Sequence, residues 1–196
     1  MNGIYILFEK GEFAHSTDRI VRIGTHTGNN QLRYRLLEHF LNENKDRSIF
    51  RKNIGRALLN KDKDPFLEQW EIDLTKENAK ELHSTSVDFT KQKETEKRVT
   101  RYIQDTFSFV VFHVDDKDKR LEIESKIIST VSLCDECKHS QNWSGFYCPN
   151  EKLQSDRTYM NCLKIRKSGL WNVQKLWKTP LSDRDMIELK QMLNIK

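Results

Sequence analysis

The chain has 196 residues, 36% hydrophobic and 32% charged, a balance that suits one full core or a small core with an extension. No apolar run approaches the roughly 20 residues of a membrane span, and no signal-peptide pattern opens the chain, so we expect a cytoplasmic protein without membrane segments. The net charge of +5 is uneven, with +4 over residues 1–60, −3 over 61–132 and +4 over 133–196. Basic ends favour a polyanionic partner, although simply solvated lysine-rich faces give the same counts.

Two strands and two helices are predicted in the first 60 residues. Alternating apolar residues indicate strands at about 3–8 and 19–24, joined by a polar hairpin loop. Apolar side chains then recur at helical spacing over 31–41, and a second helix is expected over 48–60, with Ser48 as its cap.

A third strand and two further helices are predicted beyond residue 60. Residues 61–96 are charged and only weakly amphipathic, and we interpret them as an insertion. A helix is expected at about 94–105, followed by Phe107–Val114, whose continuous aromatic and β-branched residues are typical of a buried strand. The next helix begins at Asp115–Asp118, where acidic side chains complement the helix dipole.

Two tripeptides mark the first two strands. Gly3-Ile4-Tyr5 opens the first strand and Arg22-Ile23-Gly24 closes the second. With the helix that follows, they resemble the GIY-YIG nuclease family, which is named for two such tripeptides. The chain differs from the family name at Arg22, where a tyrosine is usual.

The resemblance implies a fold and a domain organisation. The expected class is α+β, with a small antiparallel three-stranded sheet flanked by helices. This core would cover residues 1–132 with an insertion at about 61–96, and residues 133–196 would form a C-terminal extension packed on it.

The same resemblance assigns roles on the first strand and the following helix. Tyr5 would orient or deprotonate the attacking water. Arg35 would contact the scissile phosphate, to which a guanidinium presents a fixed fork of donors. His39 follows Arg35 by four residues, hence on the same helix face, and would assist proton transfer.

The second tripeptide and the late helix supply the remaining candidates. Arg22 could touch a phosphate but cannot act as a base, whereas His26, two residues past the end of the tripeptide, could accept the proton. Glu124 precedes the apolar pair Ile127-Ile128 by three residues, as the family's metal-binding glutamate does, which selects Glu124 over Glu122 as the ligand of Mg²⁺ or Mn²⁺.

Four more residues are candidates for contacts with DNA. Arg33 competes with Arg35 on the same helix but lies on a different face. Arg51 and Arg56, on the next helix, either contact the phosphate backbone or are simply solvated. Asn142 is the nearest match to an asparagine that the family carries after the metal helix.

A cluster of cysteines follows that helix. Cys134, Cys137, His139 and Cys148 offer enough ligands for a tetrahedral Zn²⁺ site. Only one Cys-x-x-Cys pair is present and the spacing of the other ligands is irregular, so structural zinc is possible but not favoured. The alternative is reduced cysteines in a cytoplasmic extension.

These observations favour a metal-dependent DNA endonuclease that hydrolyses phosphodiester bonds with GIY-YIG-type chemistry. DNA is the expected partner, and cutting both strands would require a homodimer or two successive nicks. Two alternatives stay open. The substitution at Arg22 is compatible with a nucleic-acid-binding module of the same fold without catalysis, and the cysteines with a zinc-stabilised protein that binds another protein.

Overall fold

The computed structural model describes residues 1–76, 78–150 and 156–194. Its sheet contains β1 (Gly3–Ala14), β2 (Thr17–Gly24) and β3 (Phe107–His113), all antiparallel, in the order β2-β1-β3. Helices cover both faces of this sheet, which confirms the predicted α+β class with a three-stranded antiparallel sheet.

The described residues contain eight α-helices and one turn of 3₁₀ helix at Ser144–Tyr147. The α-helices are α1 (Leu32–Phe40), α2 (Ile49–Lys61), α3 (Phe66–Trp70), α4 (Ala79–Leu82), α5 (Phe89–Thr106), α6 (Lys117–Leu133), α7 (Asp156–Ser168) and α8 (Asp183–Met192). The expected cap of α2 is present, since the Ser48 side chain accepts a hydrogen bond from the Arg51 amide. None of the helices in the described ranges is long and apolar enough to cross a membrane.

The alternation of side chains along β1 serves two hydrophobic cores. Tyr5 and Leu7 face the core that contains residues of α2 and α5, whereas Ile4 faces the core formed with α6. Because successive strand residues point to opposite faces, one strand can support both layers. The site described below lies where these layers meet the carboxyl end of β2.

The β1–β2 hairpin is longer than predicted. Only His15 and Ser16 lie outside the strands, with φ angles of 50° and 61°, and Gly11 within β1 has a φ of 89°. Two turn residues with positive φ match the backbone twist of adjoining strands, which allows so short a connection. The polar stretch that we expected to form a loop is therefore mostly strand.

The expectation that β3 is a buried strand is wrong. Phe109 and Val110 are 45% and 51% exposed, and Phe107 is the only residue of the strand in the buried class. β3 pairs with β1 alone and forms an edge of the sheet. Aromatic and β-branched residues favour extended backbone, and they do not by themselves determine which strand is central.

Residues beyond 132 share the first core with β1 through the Glu9 carboxylate. The indole nitrogens of Trp143 and Trp171 each donate to Glu9 Oε2 at 2.9 Å. Tyr102 Oη and Ser144 Oγ donate to Oε1 at 2.6 and 2.5 Å. Four neutral donors thus satisfy one buried carboxylate, and they hold the later segments against the first strand.

Candidate active site

A polar cavity of about 1190 Å³ lies beside the end of β2, between α1, α2 and α6. Five of the six predicted catalytic residues line it: Tyr5, Arg22, His26, Arg35 and Glu124. Its described lining includes seven lysines and arginines against four aspartates and glutamates. The cavity is therefore large enough for a nucleotide-sized group and carries an excess of positive charge.

The sixth residue, His39, lies directly behind Tyr5. The Tyr5 hydroxyl is 2.8 Å from His39 Nε2, and His39 Nδ1 is 2.8 Å from Ser48 Oγ. Burial lowers the pKa of His39 well below its ordinary value, and the nearby cations Arg22, Arg35 and Arg51 lower it further. The imidazole is therefore neutral, and it forms a hydrogen bond with the Tyr5 phenol.

Close packing around Gly3 and Gly24 explains why the two tripeptides have glycine at these positions. A Cβ atom on Gly24 would lie 2.2 Å from the Tyr5 hydroxyl, and one on Gly3 would lie 2.3 Å from the Phe112 carbonyl oxygen. Any side chain at Gly24 would displace the phenol from its place beside His39. The motif glycines thus fix the position of Tyr5 and the pairing of β1 with β3.

Arg22 is a buried cation with an unused donor. Its Nη1 donates to the Trp171 carbonyl at 3.0 Å, and its guanidinium carbon lies 4.9 Å from the centre of the Phe50 ring. Among the described residues its buried Nε has no hydrogen-bond partner, which is costly. Arg22 also lines the cavity, where its positive charge would attract an anion.

The two arginines of α1 have different surroundings. Arg35 is half-buried, lines the cavity and donates from Nη1 to the Arg47 carbonyl at 3.3 Å. Arg33 is exposed and is not part of the cavity lining. Their placement on separate faces of α1 agrees with the helical spacing.

Glu124 lies at the cavity wall, where its carboxylate pairs with the ammonium of Lys175. Glu122 instead points to solvent and pairs with Lys126 at 2.7 Å. A single carboxylate in a polar, hydrated cavity fits Mg²⁺, which retains most of its water when protein binds it. The Lys175 side chain is 26% exposed, so it can move away when a divalent cation approaches Glu124.

His26 has a different role from the one expected. Its Nδ1 lies 2.6 Å from the Gly28 carbonyl, and its Nε2 accepts the Gly3 amide at 3.3 Å. Both ring nitrogens are thus occupied by backbone, and burial lowers the pKa of His26, so the ring is neutral. The structure gives His26 the role of fixing the turn after β2, with no free lone pair for a water molecule.

Two of the arginines expected to contact DNA are buried in ion pairs. Arg51 pairs with Glu96 at 2.8 Å and also donates to the His39 carbonyl. Arg56 pairs with Glu71 at 2.6 Å. Arg51 is fully buried and lies outside the cavity, whereas Arg56 and Glu71 form part of the cavity lining, so that of these two guanidinium groups only that of Arg56 borders the site.

Asn142 is exposed and lies outside the main cavity, whereas Asn172 lies within it. The Asn172 amide group donates to the Ile23 carbonyl at 2.8 Å and accepts the Ile23 amide at 3.1 Å. The side chain thereby continues the hydrogen bonding of β2 at the second tripeptide. The sequence contains no spacing signal for this long-range contact, and Asn172, Lys164 and Lys175 were all missed.

The expected four-ligand cysteine set is divided between separate places. His139 Nε2 lies 3.0 Å from the Arg166 carbonyl, and Cys148 is buried beside Cys162. Cys134 and Cys137 lie elsewhere, close to His15. The four residues that the sequence suggested therefore do not form one zinc site.

Comparison with protein families finds that a GIY-YIG domain model matches residues 1–193. Because this match covers nearly the whole sequence, the chain belongs to the GIY-YIG family, a family of nucleases. Comparisons with curated proteins and with solved structures each found no match.

Proposed function

We propose that the protein is a divalent-metal-dependent DNA endonuclease that hydrolyses phosphodiester bonds. The observation that carries this proposal is the convergence of Tyr5, Arg22, Arg35 and Glu124 on one cavity with excess positive charge. Hydrolysis of a phosphodiester needs an activated water, neutralisation of the phosphate charge and help for the leaving oxygen. The cavity contains side chains suited to each of these tasks.

Tyr5 and His39 act together on the attacking water. When the imidazole carries its proton on Nδ1, toward Ser48 Oγ, its Nε2 accepts the proton of the Tyr5 hydroxyl. The phenol oxygen then takes a proton from water while its own proton passes to His39. The lowered pKa of His39 keeps the imidazole neutral before the reaction, as a proton acceptor must be.

Arg22 and Arg35 bind the scissile phosphate. Both arginines line the cavity, and Arg35 donates from Nη1 to the Arg47 carbonyl at 3.3 Å. Both can donate to phosphate oxygens, whose negative charge grows as the water attacks. Arg33, exposed on the same helix, is suited to a phosphate further along the DNA backbone.

Glu124 would hold the divalent ion, Mg²⁺ or Mn²⁺. Such an ion would neutralise charge on the phosphate and lower the pKa of water bound to it. Lys175, which now pairs with Glu124, would then be available to the DNA. We expect the protein to act in the cytoplasm, where its cysteines stay reduced.

A test uses supercoiled plasmid with the purified protein and either Mg²⁺ or Mn²⁺. Wild-type protein should produce nicked or linear DNA, and Glu124→Gln should bind DNA while cleavage falls by roughly 10³-fold or more. Glu122→Gln is the matched control, because that carboxylate faces solvent on the same helix, and it should cleave normally. Linear product without a nicked intermediate would indicate a homodimer.

The second candidate is a DNA-binding module without catalysis. The ion pair between Glu124 and Lys175 favours it, because a lysine already neutralises the proposed metal ligand. Wild-type protein that binds DNA but cleaves no substrate with any divalent ion would establish this alternative.

A further inference from the structure

Three metal-binding side chains meet at the tip of the β1–β2 hairpin, away from the cavity. His15 Nε2 lies 3.3 Å from Cys134 Sγ and 3.4 Å from Cys137 Sγ, and all three atoms lie within 4.8 Å of one another. Tetrahedral Zn²⁺ with ordinary Zn–N and Zn–S bonds places its nitrogen and sulfur ligands about 3.5 Å apart. The observed separations match that spacing.

Glu136 orients the histidine for this role. Its Oε2 lies 3.2 Å from His15 Nδ1, and its Oε1 accepts the His15 backbone amide at 2.6 Å. A proton held on Nδ1 leaves the Nε2 lone pair facing the two sulfurs. Histidines that ligate metals are commonly held in this way by a carboxylate on the other ring nitrogen.

The two cysteines lie at the end of α6 with both sulfurs next to one histidine. Cys134 is the C-cap of α6, Cys137 follows it by three residues, and the Sγ atoms of both contact His15 Nε2. The Cys-x-x-Cys turn thus places two potential ligands side by side.

The hairpin tip adopts a costly conformation to present the imidazole. His15 has a φ of 50°, in a region that favours glycine and that costs other residues about 1 kcal/mol or more. Such a conformation persists where the surroundings require it. The two-residue turn of the hairpin requires it here, at Ser16 as well as at His15, and this turn places the His15 imidazole beside Glu136 and the two sulfurs.

We propose that His15, Cys134 and Cys137 bind one Zn²⁺ ion that cross-links the β1–β2 hairpin to the end of α6. Two thiolates and an imidazole are the soft ligand set that selects zinc over Mg²⁺. The fourth position is taken by solvent, because the His15 side chain is 52% exposed. The ion fixes α6, which carries Glu124, to the hairpin that carries Tyr5 and Arg22.

The zinc content of the purified, reduced protein tests this assignment without reference to nuclease activity. After incubation with Zn²⁺ and removal of the excess, wild-type protein should retain one zinc per chain. Cys134→Ser and Cys137→Ser should retain almost none, and His15→Ala should bind at least tenfold more weakly. With Co²⁺ in place of zinc, wild-type protein should show thiolate-to-cobalt absorption, and the Cys134→Ser and Cys137→Ser proteins should not.

Two controls separate this ligand set from the one suggested by the sequence alone. Cys162→Ala and His139→Ala should each retain one zinc, since neither residue belongs to the cluster. If the cysteine variants fold poorly, Glu136→Gln still tests the site, because it leaves all three ligands in place and should weaken zinc binding about tenfold. Reduced wild-type protein that retains no zinc, or Cys134→Ser protein that retains one, would overturn the proposal.

Discussion

Arg22 is the position at which the chain differs from its family's second tripeptide. Its guanidinium donates to the Trp171 carbonyl, lies over the Phe50 ring and brings a positive charge to the cavity, which a tyrosine does not supply. We therefore expect Arg22→Tyr to lower the single-turnover cleavage rate by roughly 10²-fold, the effect of losing one transition-state donor. A rate equal to that of wild-type protein would show that Arg22 is only structural.

Arg35 should matter more in the transition state than in binding. Negative charge increases on the phosphate oxygens during attack, so Arg35→Ala should reduce the cleavage rate by more than it weakens DNA affinity. Arg33→Ala is the matched control, because this exposed arginine lies outside the cavity, and it should change affinity alone. Equal losses of rate and affinity in Arg35→Ala would contradict the assignment.

The buried His39 makes stability depend on pH. Its folded-state pKa is lowered well below 6.5, so below pH 6.5 the unfolded chain binds a proton that the folded chain does not. The free energy of unfolding should therefore fall as pH drops below 6.5, by at most about 1.4 kcal/mol per pH unit from this group, and recover at higher pH.

His39→Gln provides the comparison for this prediction, because the glutamine side chain can still accept a hydrogen bond from the Tyr5 hydroxyl but does not titrate. Urea denaturation at pH 7.5, 6.5 and 5.5 should show a shallower pH dependence in the variant. The lowered pKa of His26 acts in the same direction in both proteins and cancels. An unchanged slope would mean that His39 is not the responsible group.

Local sequence information was sufficient to place some of these residues and not others. Tyr5, Arg35 and Glu124 were selected through the resemblance of their segments to the family's motifs, and all three line the cavity. The partners of a side chain do not follow from spacing. His26 is engaged by Gly3 and Gly28, and Arg51 by Glu96, through contacts that arise only when the chain folds.

At the scale of elements, α1, α2 and α6 were predicted close to their observed places from their apolar periodicity, and β3 from its continuous aromatic and β-branched residues. Helix α5 was expected from about residue 94 but begins at Phe89. The length of the hairpin strands and the exposure of β3 were not predicted correctly. The two-residue turn at His15-Ser16 contains neither the glycine nor the asparagine that usually indicates such a turn. An edge strand such as β3 can have the same composition as a central strand.

A substitution at Glu9 in the first strand should strongly lower the stability of the protein. In Glu9→Gln, an amide nitrogen replaces one acceptor oxygen and faces donors, so at least one buried donor loses its partner. We expect a loss of about 2–4 kcal/mol in the free energy of unfolding, measured with urea. Glu43→Gln, at an exposed position, should change it by less than about 0.5 kcal/mol.

At the scale of the whole molecule, the question is whether residues 1–132 can fold without residues 133–196. The family match extends to residue 193, and the first core includes Trp143, Cys162 and Trp171 together with Tyr5 and Leu7. Such pairings could not be predicted from the sequence, because hydrophobic periodicity describes neighbours along the chain and not partners more than 100 residues away.

A chain ending at residue 132 should therefore fail to fold. It lacks both indoles that bind Glu9 and the apolar side chains that cover the first core. Circular dichroism and thermal melting should show no cooperative transition. A chain ending at Leu181 keeps every donor to Glu9 and should melt cooperatively, so a stable 1–132 fragment would instead establish an autonomous core.

The four donors around Glu9 also bear on how the chain is made. Trp171 is synthesised 162 positions after Glu9. The Glu9 carboxylate must therefore stay hydrated until that later segment has left the ribosome. Because the core is completed by contacts of such high sequence separation, we expect folding to be slow and the nascent hairpin to remain exposed until Trp171 is available.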